Sequence, residues 1–382
     1  MKDIKMHSLI DQEKQHLANR YHKDNLVVHI MSYAVAGVFI LLLLYFNISK
    51  NFVIILNSWT SARFFLVLVY FAALFLVYTL LTFAFAYLDS YKIEHKYGFS
   101  TQNFQAWFMD FIKSFLVTFV LGVIVFEVIY SITLISVDLW WFWISIIMIF
   151  FSVILSNLFP VLILPLFYKT SPIENEALKK KIAELCSQAK INITGVFSIN
   201  LSSKTTKANA AVIGLGNTKR ILLGDTLLGR YTEDEIITTL SHEITHDRGH
   251  HIWWLVLGQS VIILIMFYLL SRLYLPFYSF AGFSKISDVA AFPLFALIFM
   301  VLSFIFNPLG SIISRFYERK ADKGALELTK NPDALISLMA KLCNESLAIA
   351  YPNPLIEWYK YTHPSISKRI KFAEKWKSDH AS

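Results

Sequence analysis

Long apolar runs alternate with polar segments along this chain, and the lengths of the runs predict its architecture. A bilayer crossing takes about 20 apolar residues in helical form. Six runs reach that length: residues 26–46, 64–88, 115–137, 139–167, 252–273 and 289–313. The apolar stretch 52–61 is too short to cross alone at about 1.5 Å per residue. The pattern predicts an all-α multi-pass membrane protein with six transmembrane helices.

The polar segments divide the chain into three predicted parts. Residues 1–25 form an N-terminal tail, residues 26–170 form a membrane domain with four crossings, and residues 171–382 form a second domain with two further crossings. In this second domain, residues 173–190 have the periodicity of an amphipathic helix. Three short extended runs follow, at 195–202, 208–214 and 220–223. We therefore expect an α+β domain with a small sheet, whose edge either pairs with an extended substrate or serves packing alone.

Composition and charge agree with a membrane location and add an orientation. The chain is 56% hydrophobic, with a mean hydropathy of +0.53 and 35 basic residues. With six crossings, only Lys50, Arg63, Arg272 and Lys285 lie at or near one side, and basic residues are retained in the cytoplasm. The polar domains are therefore predicted to be cytoplasmic. The net charge of +8 follows from this bias and from anionic lipid nearby, and no nucleic-acid-binding motif is present.

The cysteines and the length bear on the compartment. Cys186 and Cys343 both fall on the predicted cytoplasmic side, where thiols remain reduced, so no disulfide is expected. The compact length and the lack of an organelle or retention signal favour a bacterial inner membrane over the endoplasmic reticulum.

Residues 232–251 are predicted to form a helix that carries a metal-binding pattern. Thr232 and Glu235 have the spacing of a capping box at its start. An apolar stripe at helical spacing follows, formed by Ile236, Ile237, Leu240 and Ile244.

The same segment contains His242-Glu243-x-x-His246. Positions four apart on a helix lie almost above one another, so both imidazoles project towards a single point, with Glu243 beside them. Two nitrogen ligands, an open position and an adjacent carboxylate base are what hydrolysis by zinc requires. The alternative is a surface helix that carries these residues by chance.

A third ligand is expected, because catalytic zinc takes three protein groups and a water. The metzincin pattern would need histidine at position 252, which is Ile252, and His250 and His251 have the wrong spacing. We interpret these two histidines as the polar end of the helix at the membrane surface.

A better source of the third ligand is the segment after the last crossing. Arg315, Glu318 and Asp322 are three and four residues apart, so they share a face of a predicted helix. Glu318 would complete a site of two histidines and one carboxylate, and Asp322 could hold a ligating imidazole by its free N–H. The alternative is a solvated helix with ordinary salt bridges.

Several motifs together carry a family resemblance. SHEITH, SRFYERKAD and THPSISKRI stand in order at residues 241–246, 314–322 and 362–370, and Glu94-x-x-Tyr97-Gly98-Phe99-Ser100-x-Gln102 lies in the N-terminal half. This set resembles the type I CAAX prenyl proteases, which are integral-membrane zinc endopeptidases. The resemblance extends over about residues 20–375. Shorter heat-shock-linked membrane proteases share the zinc motifs but lack the N-terminal half.

The resemblance implies roles for individual residues. His242, His246 and Glu318 bind one zinc ion, and Glu243 is the general base. Asp322 supports a ligating histidine.

Further roles come from the resemblance alone. It puts His363 and Arg369 near the reacting carbonyl or the substrate backbone. A structural role for His363 at a helix start remains open. Asn209 and Ala210 correspond to the family's strand edge that pairs with substrate, and the eukaryotic relatives have seven crossings.

The sequence thus predicts a membrane-embedded zinc metalloendopeptidase that cleaves peptide bonds near the cytoplasmic membrane surface. Its partners would be membrane lipid and a peptide or protein substrate, lipid-modified or membrane-associated, with no nucleic acid. One alternative is a quality-control protease for membrane proteins. Another is a non-catalytic membrane scaffold or transporter with a vestigial zinc site.

Overall fold

The chain is mostly helical, with one small sheet. The structure is a computed structural model that describes residues 8–214, 218–283 and 285–380. Six helical spans in this part of the chain are long and apolar enough to cross a membrane. They are Gln12–Tyr45, Arg63–Lys96, Phe104–Ile135, Trp140–Phe167, His251–Phe280 and Val289–Thr329. Each predicted crossing coincides with one of these spans to within two residues at the ends that pass it, and the predicted fold class is confirmed.

The elements follow one another in a simple order. The helices are α1 (Gln12–Tyr45), α2 (Ile48–Trp59), α3 (Arg63–Tyr87), α4 (Glu94–Lys96), α5 (Phe104–Ile135), α6 (Trp140–Leu158), α7 (Leu164–Phe167), α8 (Glu176–Ala189), α9 (Asp225–Leu228), α10 (Glu233–Arg248), α11 (His251–Phe280), α12 (Phe292–Thr329), α13 (Pro332–Glu345), α14 (Pro354–Lys360) and α15 (Ile366–Asp379). The strands are β1 (Thr170–Pro172), β2 (Val196–Ile199), β3 (Ala210–Ile213) and β4 (Arg220–Gly224). Two π-helical turns, Leu88–Ile93 and Phe159–Ile163, continue α3 and α6.

Two of the long helices, α12 and α1, connect the membrane part to the polar domain. α12 has 38 residues, or about 57 Å at 1.5 Å per residue, against a hydrocarbon core of about 30 Å. α1 has 34 residues, and its first turns pack on the polar domain, where Gln15 Nε2 donates to Ala348 O at 3.0 Å. Residues 12–25 of the predicted tail are thus part of a packed helix, whereas residues 1–7 lie outside the described residues.

The short apolar stretch after the first crossing forms α2, a helix of 12 residues. At about 18 Å it is too short to cross alone. Ser49 Oγ donates to Ala290 O and Lys50 Nζ donates to Ala281 O, both at less than 2.8 Å. These bonds tie α2 to the connection between α11 and α12.

The sheet of the polar domain has the strand order β1-β2-β4-β3. β2 and β4 are parallel, and β3 pairs antiparallel with β4, with Ala210 opposite Leu223. β3 is therefore an edge strand. The three predicted extended runs coincide with β2, β3 and β4, whereas β1, of three residues, carried no sequence signal. The predicted amphipathic helix at 173–190 is α8.

The core of the polar domain lies between α8, α10, α13 and the sheet. Leu240, Ile244 and Ile236 of α10 are at most 2% exposed, so three residues of the predicted stripe are buried, and Ile237 is partly buried. Truncating a side chain such as Leu240 to alanine would cost about 2–5 kcal/mol of folding free energy. This core fixes the orientation of α10, and with it the direction in which the opposite face points.

We expect Ile10 and Lys375 to lie on one side of the membrane and Lys285 on the other, because an even number of crossings returns the chain to its starting side. Single cysteines at these positions, in a background lacking Cys186 and Cys343, would be labelled in intact cells with an impermeant maleimide. Outside labelling at position 285 only is the expected result. Opposite accessibility of positions 10 and 375 would show an odd number of crossings.

Candidate metal centre

α10 begins and ends as its sequence predicts. The Thr232 side chain accepts from Glu235 N and the Glu235 side chain accepts from Thr232 N, so the predicted capping box is confirmed. The helix stops at Arg248, and His250 has a positive φ of 50° that redirects the chain into α11. The observed helix therefore ends three residues before the end of the predicted segment 232–251.

The two histidines of α10 point to one place. His242 Nε2 and His246 Nε2 are 3.2 Å apart, as expected for side chains one turn apart. Glu318, from the part of α12 that extends beyond the membrane, meets them: its Oε2 is 3.2 Å from His242 Nε2 and its Oε1 is 3.3 Å from His246 Nε2. Ligand atoms of these three residues lie within 4.8 Å of one another.

A glycine allows α12 to approach α10 this closely. An ideal Cβ on Gly324 would lie 2.3 Å from Thr245 Cγ2, far inside contact distance. A larger residue at this position would separate the helices and with them the imidazoles and the carboxylate.

These three residues suit a metal ion. Glu318 is 7% exposed, and its Oε2 is buried without a hydrogen bond within the described part of the chain. A buried carboxylate oxygen without a donor is costly unless a cation compensates it. Two imidazole nitrogens and a carboxylate are a ligand set used by catalytic zinc.

Asp322, one turn beyond Glu318, holds His242 from behind. Its Oδ1 is 3.0 Å from His242 Nδ1, which leaves Nε2 of the imidazole for the metal. The Arg369 guanidinium makes two bonds to the same carboxylate, Nε to Oδ2 at 2.9 Å and Nη2 to Oδ1 at 2.6 Å. Asp322 and Arg369 are thus a buried, bidentate pair, and removing one partner of such a pair costs about 3–5 kcal/mol.

His363 reaches the site from the connection before α15. Its Nε2 is 3.3 Å from Glu318 Oε2, and its side chain is 55% exposed. α15 begins at Ile366, with Ser365 at the N-cap, so His363 does not start a helix.

Glu243 and the edge strand border the same cleft. This cleft, of about 180 Å³, is lined by His242, Glu243 and His363 and by Asn209 and Ala210. Its apolar lining comes mostly from α13, through Leu335, Leu338, Met339 and Leu342. All nine residues singled out from the sequence therefore lie in or directly beside one cleft.

One neighbour of the site was missed in the sequence. His251, interpreted there as a surface residue, is 5% exposed, and its Nδ1 lies 3.2 Å from His246 Nδ1. Its ring also packs against Tyr317, with centroids 4.8 Å apart. His251 thus occupies the position for His246 that Asp322 occupies for His242. The five-residue separation of His246 and His251 did not predict this contact, because the turn at His250, and not helical spacing, brings the two rings together.

The carboxylates around the site shift the pKa values of its titratable groups. Burial lowers the pKa of His242, but the hydrogen bond to Asp322 and the neighbouring Glu318 carboxylate outweigh it and raise the value to about 9. Burial raises the pKa of Glu243, with the neighbouring histidines opposing it. Without a metal, His242 therefore carries a proton at neutral pH.

Comparison with known proteins agrees with this geometry. Residues 172–377 match the model of peptidase family M48, and residues 4–169 match a model described as CAAX prenyl protease N-terminal, five membrane helices. In the described part of that second region, four helices are long enough to cross a membrane, and α2 is a fifth, shorter helix.

Individual relatives cover most of the chain. An uncharacterized metalloprotease, YhfN, of Bacillus subtilis is 34% identical over 75% of this chain and 68% of its own length. CAAX prenyl protease 1 of Saccharomyces cerevisiae is 29% identical over 94% of this chain and 86% of its own length. The crystal structure of S. mikatae Ste24p superposes with a TM-score of 0.86 over 97% of this chain and 91% of that chain, at 24% identity, which shows a shared fold.

The fold and the site define an integral, multi-pass membrane metallopeptidase, and a metal, generally zinc, is implied for such enzymes. The chain belongs to peptidase family M48, and its relatives include CAAX prenyl proteases. The predicted family, enzyme class and membrane location are confirmed. Its substrates are peptides or proteins.

We expect metal affinity at this cluster to fall in acid. Binding must displace the Nε2 proton of His242, whose pKa is about 9, so the apparent affinity should weaken about tenfold per pH unit below that value from this proton alone. Competition with a chelator of known affinity, at pH values from about 6.5 to about 9.5, measures how steeply the metal affinity depends on pH. In Asp322→Asn the slope between neutral pH and pH 9 should flatten, because the carboxylate that raises the pKa is gone. An affinity independent of pH in the wild type would contradict the assignment of His242.

Proposed function

We propose that His242, His246 and Glu318 hold one zinc ion and that the chain hydrolyses peptide bonds at the cytoplasmic surface of the membrane. The supporting observation is the convergence of these three residues beside a cleft that is lined by His242, by Glu243 and by Ala210 of β3. When bound there, zinc polarises the scissile carbonyl and makes a water acidic enough to ionise near neutral pH.

Glu243 is the proton carrier in this proposal. It adjoins His242 on α10 and lines the cleft together with residues of the edge strand. It accepts a proton from the attacking water and delivers it to the leaving amine. Its raised pKa supports the first step, since a carboxylate with a higher pKa is a stronger base towards the proton of the attacking water.

The remaining residues orient these groups. Asp322, itself held by Arg369, keeps His242 in the tautomer that leaves Nε2 free. His363 is partly exposed beside Glu318 and is placed to donate a hydrogen bond to a carbonyl oxygen of the substrate. We propose that the main role of Arg369 is to hold Asp322 in place, because its guanidinium donates two short, buried hydrogen bonds to that carboxylate.

The edge strand supplies the binding site for the substrate backbone. β3 has β4 on one side and no strand on the other within the described residues. An extended peptide that adds to such an edge forms main-chain hydrogen bonds and presents alternate side chains to the cleft. We propose that residues 209–210 make the contacts nearest the cut bond.

The location supports a substrate that is partly embedded in the membrane. Glu318 lies on the same continuous helix that crosses the bilayer, only five residues beyond the predicted crossing 289–313. The asymmetry of basic residues supports a cytoplasmic site, and the relative from Bacillus subtilis supports a bacterial cell membrane. We propose peptides with a lipid-modified or membrane-anchored end, because several relatives are named CAAX prenyl proteases.

Glu243→Gln should lower turnover by about 10²–10⁴-fold while zinc remains bound, since the amide keeps the shape but cannot accept the proton. His246→Ala should lose zinc as well as activity. Metal analysis and peptidase assays of the purified full chain measure both. Glu327→Gln is the matched control, because Glu327 is on α12 but 58% exposed in an ion pair with Lys323. Near-normal turnover in Glu243→Gln would remove Glu243 from the mechanism.

A second assay addresses the substrate. Wild-type protein in lipid nanodiscs would receive a farnesylated peptide ending in a CAAX sequence and the same peptide without the lipid, with mass spectrometry of the products. We expect a single cut near the modified cysteine and faster cleavage of the farnesylated peptide. Equal cleavage of unrelated membrane peptides at many bonds would favour a quality-control protease. No cleavage of any peptide by zinc-loaded protein would favour a non-catalytic role.

A further inference from the structure

A loop of the N-terminal membrane half contacts the polar domain at the segment that precedes the edge strand β3 in the sequence. The loop comprises residues 94–102, and the segment that it contacts, residues 202–207, leads into β3. Their backbones are joined as in a short antiparallel ladder. The contacts are Thr206 N to Phe99 O at 2.9 Å, Thr101 N to Lys204 O at 3.2 Å, and a bridge between Ser100 and Thr205.

Lys207 makes a side-chain connection between the two parts, beside the ion pair of Lys204 with Asp110. Its Nζ donates to Glu94 Oε2 at 2.8 Å and to Tyr21 OH at 3.0 Å, and it lies 4.3 Å from the centre of the Phe99 ring. Tyr21 OH in turn donates to the other oxygen of Glu94. The lysine, the carboxylate and the phenol therefore form a closed triangle that is shielded by an aromatic ring.

The loop is a firm support for this triangle. Phe99 is 3% exposed and Tyr21 is 7% exposed, and both pack in one cluster with Ile93 and Leu347. Gly98 forms the turn with a φ of +75°, a conformation that favours glycine. Movement of Lys207 is thus resisted by contacts to α1 and to the connection after α13.

The position of Lys207 in the chain gives this contact its importance. Asn209 follows two residues later, its carbonyl accepts from Gly224 N at 2.9 Å, and it borders the cleft with Ala210 and Glu243. Two extended residues span about 7 Å. A displacement of Lys207 would therefore also displace residues 209–210 at the strand edge, because the two residues between them leave little freedom of movement.

We propose that Lys207 is a positioning residue. Through its contacts with Glu94 and Tyr21, it holds residues 209–210 in the position that pairing with the substrate backbone requires. The N-terminal half then takes part in substrate binding as well as in membrane anchoring. This inference rests on the proposed function, which assigns substrate pairing to β3.

The test compares Lys207→Met and Glu94→Gln with the wild type, as full-length protein in nanodiscs. Each enzyme would be assayed with a long peptide that the wild type cleaves and with the same peptide truncated on the side that pairs with β3. For the long peptide we expect KM to rise about tenfold, the effect of losing one or two backbone hydrogen bonds, with kcat within about twofold. Cleavage of the truncated peptide and the zinc content should not change.

A coupling experiment separates the named contact from a general loss of stability. The double variant Lys207→Met/Glu94→Gln should be no worse than either single variant, because both remove the same interaction. The charge reversal Lys207→Glu/Glu94→Lys should recover much of the affinity for the long peptide. Lys96→Met is the matched control: Lys96 lies in the same loop, pairs with Asp24 at 2.6 Å, and is 62% exposed.

An unchanged KM for the long peptide would overturn the inference. So would equal losses for both peptides together with a lower thermal midpoint or lost zinc, because those changes describe a purely structural contact. Failure of the proposed function has a different signature, namely full activity in Glu243→Gln or no peptidase activity in the zinc-loaded wild type.

Discussion

The close approach of α10 to the outer part of α12 is the contact on which the whole site depends. It brings two imidazoles of one helix to a carboxylate of another, and Gly324 against Thr245 makes the short distance possible. The approach is stabilised from both ends. Apolar residues of α10 are buried in the polar domain on its other side, while α12 is held in the membrane by its own apolar half. Neither helix can turn without moving the ligands.

Charge compensation explains why so many ionisable groups can lie in so small a volume. Glu318 and Asp322 are both almost fully buried, and isolated charges there would be prohibitively costly. Asp322 is neutralised by Arg369, whereas Glu318 has only imidazoles near it and a carboxylate oxygen without a donor among the described residues. Without a metal, the proton on His242 is what balances the Glu318 carboxylate where the three ligand atoms converge. A divalent cation bound by these atoms would take the place of that proton, so the arrangement favours a metal centre over a salt-bridge network.

The bilayer imposes a second constraint. Backbone groups in the hydrocarbon core need internal partners, so the chain crosses as helices, and irregular backbone lies outside the hydrocarbon core. Catalytic geometry is consequently built where crossing helices emerge. α12 brings a ligand out of the membrane on an unbroken helix, and α1 extends onto the connection after α13. The loop 94–102 contacts the segment that leads into β3. The membrane half and the peptidase part are in this way mechanically connected.

Local patterns in the sequence determined the six long apolar helices, the capped helix with its two histidines, the carboxylates at 318 and 322, and the approximate strands, because each depends on spacing within one element. Tertiary structure decided the rest. His251 becomes a neighbour of His246 only through the turn at His250, and Arg369 reaches Asp322 across 47 positions of sequence. β1 exists only because β2 offers an edge to pair with. Such contacts join segments that are distant in sequence or irregular in structure. The periodicity of the sequence does not predict them, since their energy comes from packing between elements.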